Sequence, residues 1–255
     1  MSGTNDVLRD RVALVTGGGR GIGRRIAVGL AKLGAHVAVL ARSEHELGDT
    51  VAEIHANGGI ATAVVGDIRD FDRLRTGVHR VRAELGPPVV LVNNAAVVAP
   101  LGPTDALDPT EVAAAVAVNI IAPITLSAMV LPGMSAAGWG RIVNISSGIA
   151  ARPGSSPGMT VYAATKAALE AHTLNLAVEL DGSGITANVY RPGAVDTAMQ
   201  QWIRDQPAER IGAALHDRFA AMHAGGHLIN PERSARSLLD RVVGPQTGQI
   251  WSVDD

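Results

Sequence analysis

"RVALVTGGGRGIGRRIAVGLAKLG", residues 11–34, is the stretch that decides the fold. A run of β-branched and aliphatic residues gives way to a glycine cluster. Apolar residues spaced three and four apart follow, the change of period that marks a strand turning into a helix. Gly17, Gly21 and Gly23 let backbone N–H groups approach a pyrophosphate closely, and the start of the helix adds positive potential. The spacing, T-G-x-x-x-G-x-G, departs from the commoner G-x-G-x-x-G, and glycine-rich turns also serve merely to close strand–helix connections. Position decides in favour of a nucleotide site, because the cluster lies at the first strand–helix junction of the chain.

The same alternation continues outward. Strand-like runs at 35–42, 61–67, 88–95, 140–147, 184–193 and 248–255 each end in glycine, asparagine or polar punctuation, and helix-like segments separate them. Together with 11–17 they predict a Rossmann-type, doubly wound α/β fold: a seven-stranded, mainly parallel sheet with helices on both faces. Residues 1–255 read as a single domain, interrupted by a polar insertion at about 196–230. Within it, "AERIGAALHDRFAAMHAGG" (208–226) reads as one amphipathic helix. It is either a lid over a substrate, with Met199 and Trp202 as apolar contacts, or a face for a neighbouring subunit.

Composition narrows the function. The 255 residues are 47% hydrophobic, yet only three Trp, two Tyr and two Phe are present, so the core bulk is aliphatic, as in parallel sheets covered on both sides. A net charge of −2 gives no whole-chain attraction to nucleic acid or an anionic membrane. Cysteine is absent, which excludes disulfide and thiolate chemistry and points to a cytoplasmic setting. The first residues, "MSGTNDVLRDR", lack the apolar core of a secretion signal. Val112–Gly140 carries no charge and is long enough to span a bilayer, but Asn119, Pro123, Thr125, Ser127 and Pro132 interrupt it, so a buried helix is expected. His223 and His227 have helical metal-pair spacing, but the intervening "AGG" breaks a helix, and with His216 they read as solvated residues; no metal is expected. Arg73, Arg75, Arg80 and Arg82 are offset by Asp70, Asp72 and Glu84, an ordinary solvated face.

Which dinucleotide fits is an electrostatic question. A ribose 2′-hydroxyl calls for a carboxylate near the end of the second strand, and a 2′-phosphate for arginine. That strand ends at Ala41 and Arg42, with no acidic residue before Glu44, and Arg20 adds a second cation from the glycine loop. NADP(H) is therefore expected in preference to NAD(H), which stays possible; solvated surface arginines are the alternative. Asp67 and Ile68, after the third strand, are placed to hydrogen-bond and cover an adenine ring.

"VYAATKAALE" (161–170) puts Tyr162 and Lys166 on one face of a helix. Free tyrosine titrates near ~10, so acid–base work near neutrality asks for stabilisation of the phenolate, which a neighbouring ammonium in a partly dry cleft supplies. The pair alone is common by chance; its neighbours give it weight. "TGGGRGIG" (16–23), "NNAA" (93–96), Asn119, "IVNISS" (142–147), "YAATK" (162–166), "RPGAVDT" (191–197) and "TGQ" (247–249) follow one another in order. On these motifs the chain, from Arg11 to nearly its last residue, resembles the classical short-chain dehydrogenase/reductase family.

The resemblance implies specific roles. Ser147 would hold the substrate carbonyl oxygen, Tyr162 would deliver a proton to it, and Lys166 would tune that phenol and grip the nicotinamide ribose. Asn119 would kink its helix and hold a water linking Lys166 to solvent. Asn93, Ala95 and the loop Gly17, Arg20, Gly21, Ile22 and Gly23 would line the cofactor, with Pro192, Gly193, Val195 and Thr197 beside the nicotinamide. Two departures appear: Ala96 stands where glycine is commoner, and the loop at 148–161 is longer than usual. That loop leaves Ser146, Ser155 and Ser156 as competitors for the serine role, while Pro153, Pro157 and Gly158 read as loop-shaping.

The function implied is an NADP(H)-dependent oxidoreductase interconverting a ketone or aldehyde, 3-oxoacyl compounds included, with an alcohol. The alternatives are an NAD-dependent alcohol dehydrogenase and a non-catalytic NADP-sensing protein, which need not keep the proton-transfer set. A homodimer or homotetramer is expected, packed through the helices after the fourth and fifth strands, where Ala163, Ala167, Ala171 and Leu174 form a small-residue face. Arg152, Arg204 and Arg210 are the available cations for an acyl carrier or coenzyme A thioester.

Overall fold

Alternate residues of the central strands feed two different cores. Ala13, Val15, Val37, Val39, Val90 and Val92 belong to one apolar cluster, and Val12, Leu14, Ala38, Leu40, Val89 and Leu91 to a second. Side chains of a strand alternate sides, so an unbroken apolar run is what a sheet buried on both faces requires. The computed structural model describes residues 8–152 and 154–255. The expectations for the first seven residues and for Pro153 lie outside the described residues.

The strands are β1 (Val12–Thr16), β2 (His36–Ala41), β3 (Ile60–Val65), β4 (Pro88–Asn93), β5 (Gly140–Ile145), β6 (Ile185–Arg191) and β7 (Ile250–Ser252). They form one seven-stranded sheet in the order β3-β2-β1-β4-β5-β6-β7, and every pairing is parallel. The helices are α1 (Gly21–Lys32), α2 (Glu44–Ala56), α3 (Phe71–Glu84), α4 (Pro109–Val116), α5 (Ala122–Ala137), α6 (Thr160–Glu179), α7 (Ala198–Arg204), α8 (Ala208–Ile211), α9 (Ala213–Ala224) and α10 (Pro231–Val242). Ile26 and Leu30 of α1, Leu47 and Ile54 of α2 and Leu238 of α10 cover one face. Leu74 and Val78 of α3, Leu126 and Val130 of α5 and Leu176 of α6 cover the other.

Local chemistry sets the helix starts. Ser43, Asp70, Asp108 and Asn230 each accept a backbone N–H from the first turn of α2, α3, α4 and α10. Three of the four arginines of α3 have acidic partners close by in sequence, Arg73 with Asp70, Arg75 with Asp72 and Arg80 with Glu84. Between α4 and α5, residues Ala117–Ile121 form a π-helical turn, so the uncharged stretch is a helix with an internal bulge. Pro109–Ala137 passes the length and hydropathy test for a membrane span, but Ala122, Leu126, Val130 and Met134 are spent on the core beside β4.

The insertion differs from its sequence reading. In place of one amphipathic helix over 208–226, α8 and α9 are separated at Gly212, whose φ of 88° is a backbone region that breaks the helix. The base of the insertion is pinned: Val195 and Ile229 form a parallel bridge, with Asp196 N donating to Ile229 O and Ile229 N to Ala194 O.

Candidate active site

The strand order reverses between β1 and β4, and there a cleft of about 950 Å³ opens beyond the carboxyl ends of the strands. Gly17, Arg20, Gly21, Ile22, Arg42, Asp67, Ile68, Ala95, Ser147, Tyr162, Lys166, Pro192, Gly193, Val195 and Thr197 line it. Residues far apart in sequence thus converge on one surface.

The glycine loop is a close-packed cradle. Gly17 has φ 64°, and a Cβ on Gly23 would fall 2.2 Å from the Gly17 carbonyl oxygen and 2.5 Å from Asn94 Nδ2. Asn94 Nδ2 donates to Thr16 O at 2.9 Å, and the Thr16 hydroxyl accepts from Asn94 N and Ala95 N, both at 3.0 Å. Beneath the loop, the buried Thr50 hydroxyl lies 3.0 Å from Gly18 O and 3.3 Å from Gly19 O, tying the loop to α2. α1 begins at Gly21 with no side-chain cap and no acidic residue in its first turn, so its N–H groups face an anion-receptive end. Gly23 supports the cradle from behind and does not line the cleft.

At the β2 end Arg42 and Ser43 line the cleft, and so does Glu46, which the sequence reading passed over. Glu46 Oε1 sits 3.2 Å from Arg20 Nη1, so one of the two cations already has a partner. The signal was present, since Ser43–Glu46 has the S-x-x-E spacing of a capping box. Asp67 is held by Arg69 at 2.7 Å, and that guanidinium keeps its carboxyl below the usual range.

Asn93 does not reach the cleft. It is 2% exposed and donates to Asn144 Oδ1 at 2.8 Å, and Asn94 takes the cleft-lining place instead. The alternation of strand side chains is the reason: β4 turns Asn93 into the sheet and Asn94 out of its end. Asn119 lies behind the site on the π turn. Its side chain accepts from Val97 N (2.9 Å) and donates to Val97 O (2.8 Å) and Thr165 Oγ1 (3.1 Å), locking the bulge to α6 and to the loop after β4.

At the far end Ser147, just past β5, and Tyr162 line the cleft together. Lys166 Nζ lies 5.7 Å from the Tyr162 ring centroid and donates to Ile145 O at 2.7 Å. Burial dominates both titrations. It pushes Tyr162 up to about 12, against the Ser147 hydrogen bond, and Lys166 down to about 8, against the charge of Glu170. The protein's own groups therefore do not lower the phenol as the helical pairing alone suggests. The competing serines are set apart: Ser146 donates to Glu170, while Ser155 and Ser156 do not line the cleft, their hydroxyls lying 3.5 Å from each other and Ser156 Oγ accepting from Arg218.

The insertion closes one wall. Val98, Met159, Ile203 and Phe219 pack around Tyr162, with Met199 against them, and Trp202 at the rim is 37% exposed. Among the described residues no group of three or more His, Asp or Glu side chains gathers as a metal site.

Comparison with known proteins places this geometry. A family model described as short chain dehydrogenase matches residues 11–208. A short chain dehydrogenase of Pseudocercospora fijiensis is 40% identical over 75% of this chain, and the match spans 62% of that protein's length. The 3-oxoacyl-(acyl-carrier-protein) reductase of Pseudomonas aeruginosa is 36% identical, covering 80% of this chain and 81% of its own. A blue fluorescent protein from a metagenomic library, solved in complex with NADPH, superposes with a TM-score of 0.83 at 34% identity, covering 97% of this chain and 98% of its own.

Proposed function

The chain belongs to the short-chain dehydrogenase family of NAD(P)-dependent oxidoreductases, and from that premise we propose that it is an NADP(H)-dependent reductase of small apolar carbonyl compounds. The observation that carries the reading is the meeting of Ser147, Tyr162 and Lys166 at one end of a single cleft whose other end is the glycine loop and Arg42. The cradle fits a dinucleotide, because Cβ atoms are excluded where backbone N–H groups must approach a pyrophosphate. Gly17, Gly21, Ile22 and the start of α1 would hold the pyrophosphate. Arg42, Arg20 and Ser43 would hold a 2′-phosphate, and Asp67 and Ile68 the adenine. Pro192, Gly193, Val195 and Thr197 would hold the nicotinamide, and Lys166 its ribose. When bound, that cofactor supplies the hydride.

The chain's own groups supply the rest. The Ser147 hydroxyl donates to the substrate oxygen and favours the charge that develops on it. Tyr162 Oη gives that oxygen its proton, and burial keeps the phenol in its proton-bearing form at neutral pH. The Lys166 ammonium favours the phenolate left behind. Asn119, locked between Val97 and Thr165, fixes the helix that carries both residues. The residues at 196–230 act as a lid in this reading, excluding water from the reacting oxygen.

The wall chemistry favours an apolar substrate over a carrier-borne acyl group. Of the three cations named for such a group, Arg210 is paired with Glu111 and Arg204 is hydrogen-bonded to Gln201, which leaves exposed Arg152 as the one with no carboxylate partner among the described residues. The Glu46 carboxylate beside Arg20 favours one second reading, use of NAD(H) in the oxidative direction. The reading includes a cytoplasmic setting, consistent with the absence of cysteine. It also includes a homodimer or homotetramer, supported by exposed Ile121 on the π turn, Ile124 on α5 and Val178 on α6. NADPH oxidation against a panel of ketones, 3-oxoacyl esters, steroids and quinones tests it. Consumption with at least one apolar ketone is expected, and none above background across the panel refutes it.

A further inference from the structure

One buried charge lies beside the candidate catalytic groups without a part in the chemistry above. Glu170 is 7% exposed and lies on α6 one turn beyond Lys166. Its Oε1 accepts from the Ser146 hydroxyl at 2.7 Å and from Arg191 Nε at 2.9 Å, and its Oε2 accepts from Arg191 Nη2 at 2.7 Å. Ser146 directly precedes Ser147. Arg191 directly precedes Pro192 and Gly193, which line the cleft. Ser146 N also donates to Tyr190 O at 2.8 Å, so the ends of β5 and β6 and the body of α6 meet at one carboxylate. Such a pair is weakly explained by stability, because the desolvation of two charges offsets most of their attraction.

We propose that Glu170 is a positioning residue: it fixes the Ser147 backbone and the 192–193 segment against α6, and its negative charge keeps Lys166 an ammonium. The catalytic half of this proposal rests on the role given to Lys166 above. The surroundings of Lys166 bear it out element by element. Its own helix carries Tyr162 one turn before it and Glu170 one turn after it, and β5 presents the Ile145 carbonyl. The π turn presents the neutral Asn119 amide, through Thr165. β6 presents Arg191, whose charge Glu170 takes, and α4 carries Glu111, paired with Arg210 at 3.6 Å. Glu170 is the carboxylate whose charge opposes the pull of burial on Lys166.

Lys32 and Lys166 are the only lysines of the chain, which makes the proposal directly readable. Protein carrying carbon-13 at the lysine ε position is titrated by NMR as wild type, Glu170→Gln and Glu170→Asp, with exposed Lys32 as internal reference. In Glu170→Gln the Lys166 midpoint falls by about one pH unit. The alkaline limb of kcat/KM for NADPH oxidation moves down with it, and Glu170→Asp restores both. If Glu170→Gln does not fold, Glu170→Gln/Arg191→Gln replaces it, since it leaves neither charge buried alone; it predicts a smaller fall in the same direction, because the Arg191 cation goes with the carboxylate. An unmoved midpoint, with turnover reduced equally at every pH, overturns the proposal. A wild-type chain that reduces no carbonyl overturns the oxidoreductase reading instead, and the NMR midpoint still decides the link between Glu170 and Lys166.

Discussion

Replacing Arg42 with Ala tests the cofactor assignment at its most exposed point. Two guanidiniums stand at the β2 end of the cleft, and they are not equivalent. Arg20 shares its charge with Glu46 at 3.2 Å, whereas Arg42 makes no such contact among the described residues; its neighbour Asp67 is already held by Arg69. Arg42 is therefore the stronger candidate for a 2′-phosphate. A hydrogen bond to a charged group contributes about 1.5–3 kcal/mol, and exposure of Arg42 puts this one near the low end. Arg42→Ala is then expected to raise the Kd of NADPH about tenfold and leave that of NADH within about twofold. Glu46→Gln acts in the opposite direction. It releases Arg20 from a solvent-exposed pair worth about 0–1 kcal/mol, so NADPH should bind up to about fivefold more tightly. Fluorescence titration of each variant with both cofactors reads these changes. Equal weakening of NADPH and NADH by Arg42→Ala would refute the phosphate assignment, because a general loss of packing is blind to the 2′ position.

Two further outcomes follow from the geometry. Gly23→Ala places a methyl 2.2 Å from the Gly17 carbonyl, a backbone contact that cannot swing aside. Such overpacking costs about 1–3 kcal/mol, so Tm should fall by several degrees and both cofactors should lose affinity together, measured by thermal unfolding and titration. Lys166 is depressed by burial to about 8, so the folded state resists its protonation; that cost is fully present below pH 8 and is relieved as pH rises toward the unfolded value. Wild type should therefore gain about 2 kcal/mol on Lys166→Met between pH 7.5 and 9.5 in urea unfolding, and a constant difference would contradict the burial argument.

Strand alternation and glycine punctuation made the sheet legible, because both are local requirements: Val12–Thr16 can only be a strand buried on two faces, and Gly17–Gly23 can only turn tightly into a helix. The residues of the cleft wall were legible wherever the chain itself places them, at strand ends and on the Tyr162 helix face. What escaped depends on tertiary approach. Glu46 meets Arg20 only because α2 packs under the glycine loop, and Glu170 meets Arg191 only because α6 crosses the end of β6. Asn93 and Asn94 differ by one residue, and the pleat alone decides which faces the cleft. The break at Gly212 was written in the sequence, but an apolar pattern running through it outweighed a single glycine.

The central claim is that Tyr162 Oη gives the substrate its proton while the cleft binds the cofactor independently. Tyr162→Phe removes one oxygen from a ring that is 9% exposed and packed among Val98, Met159 and Phe219, so the site keeps its shape. Measured side by side with an accepted carbonyl substrate, the variant should bind NADPH within about twofold of wild type and lose about 10²–10⁴-fold in kcat. Turnover retained within a few fold, with binding intact, would contradict the assignment.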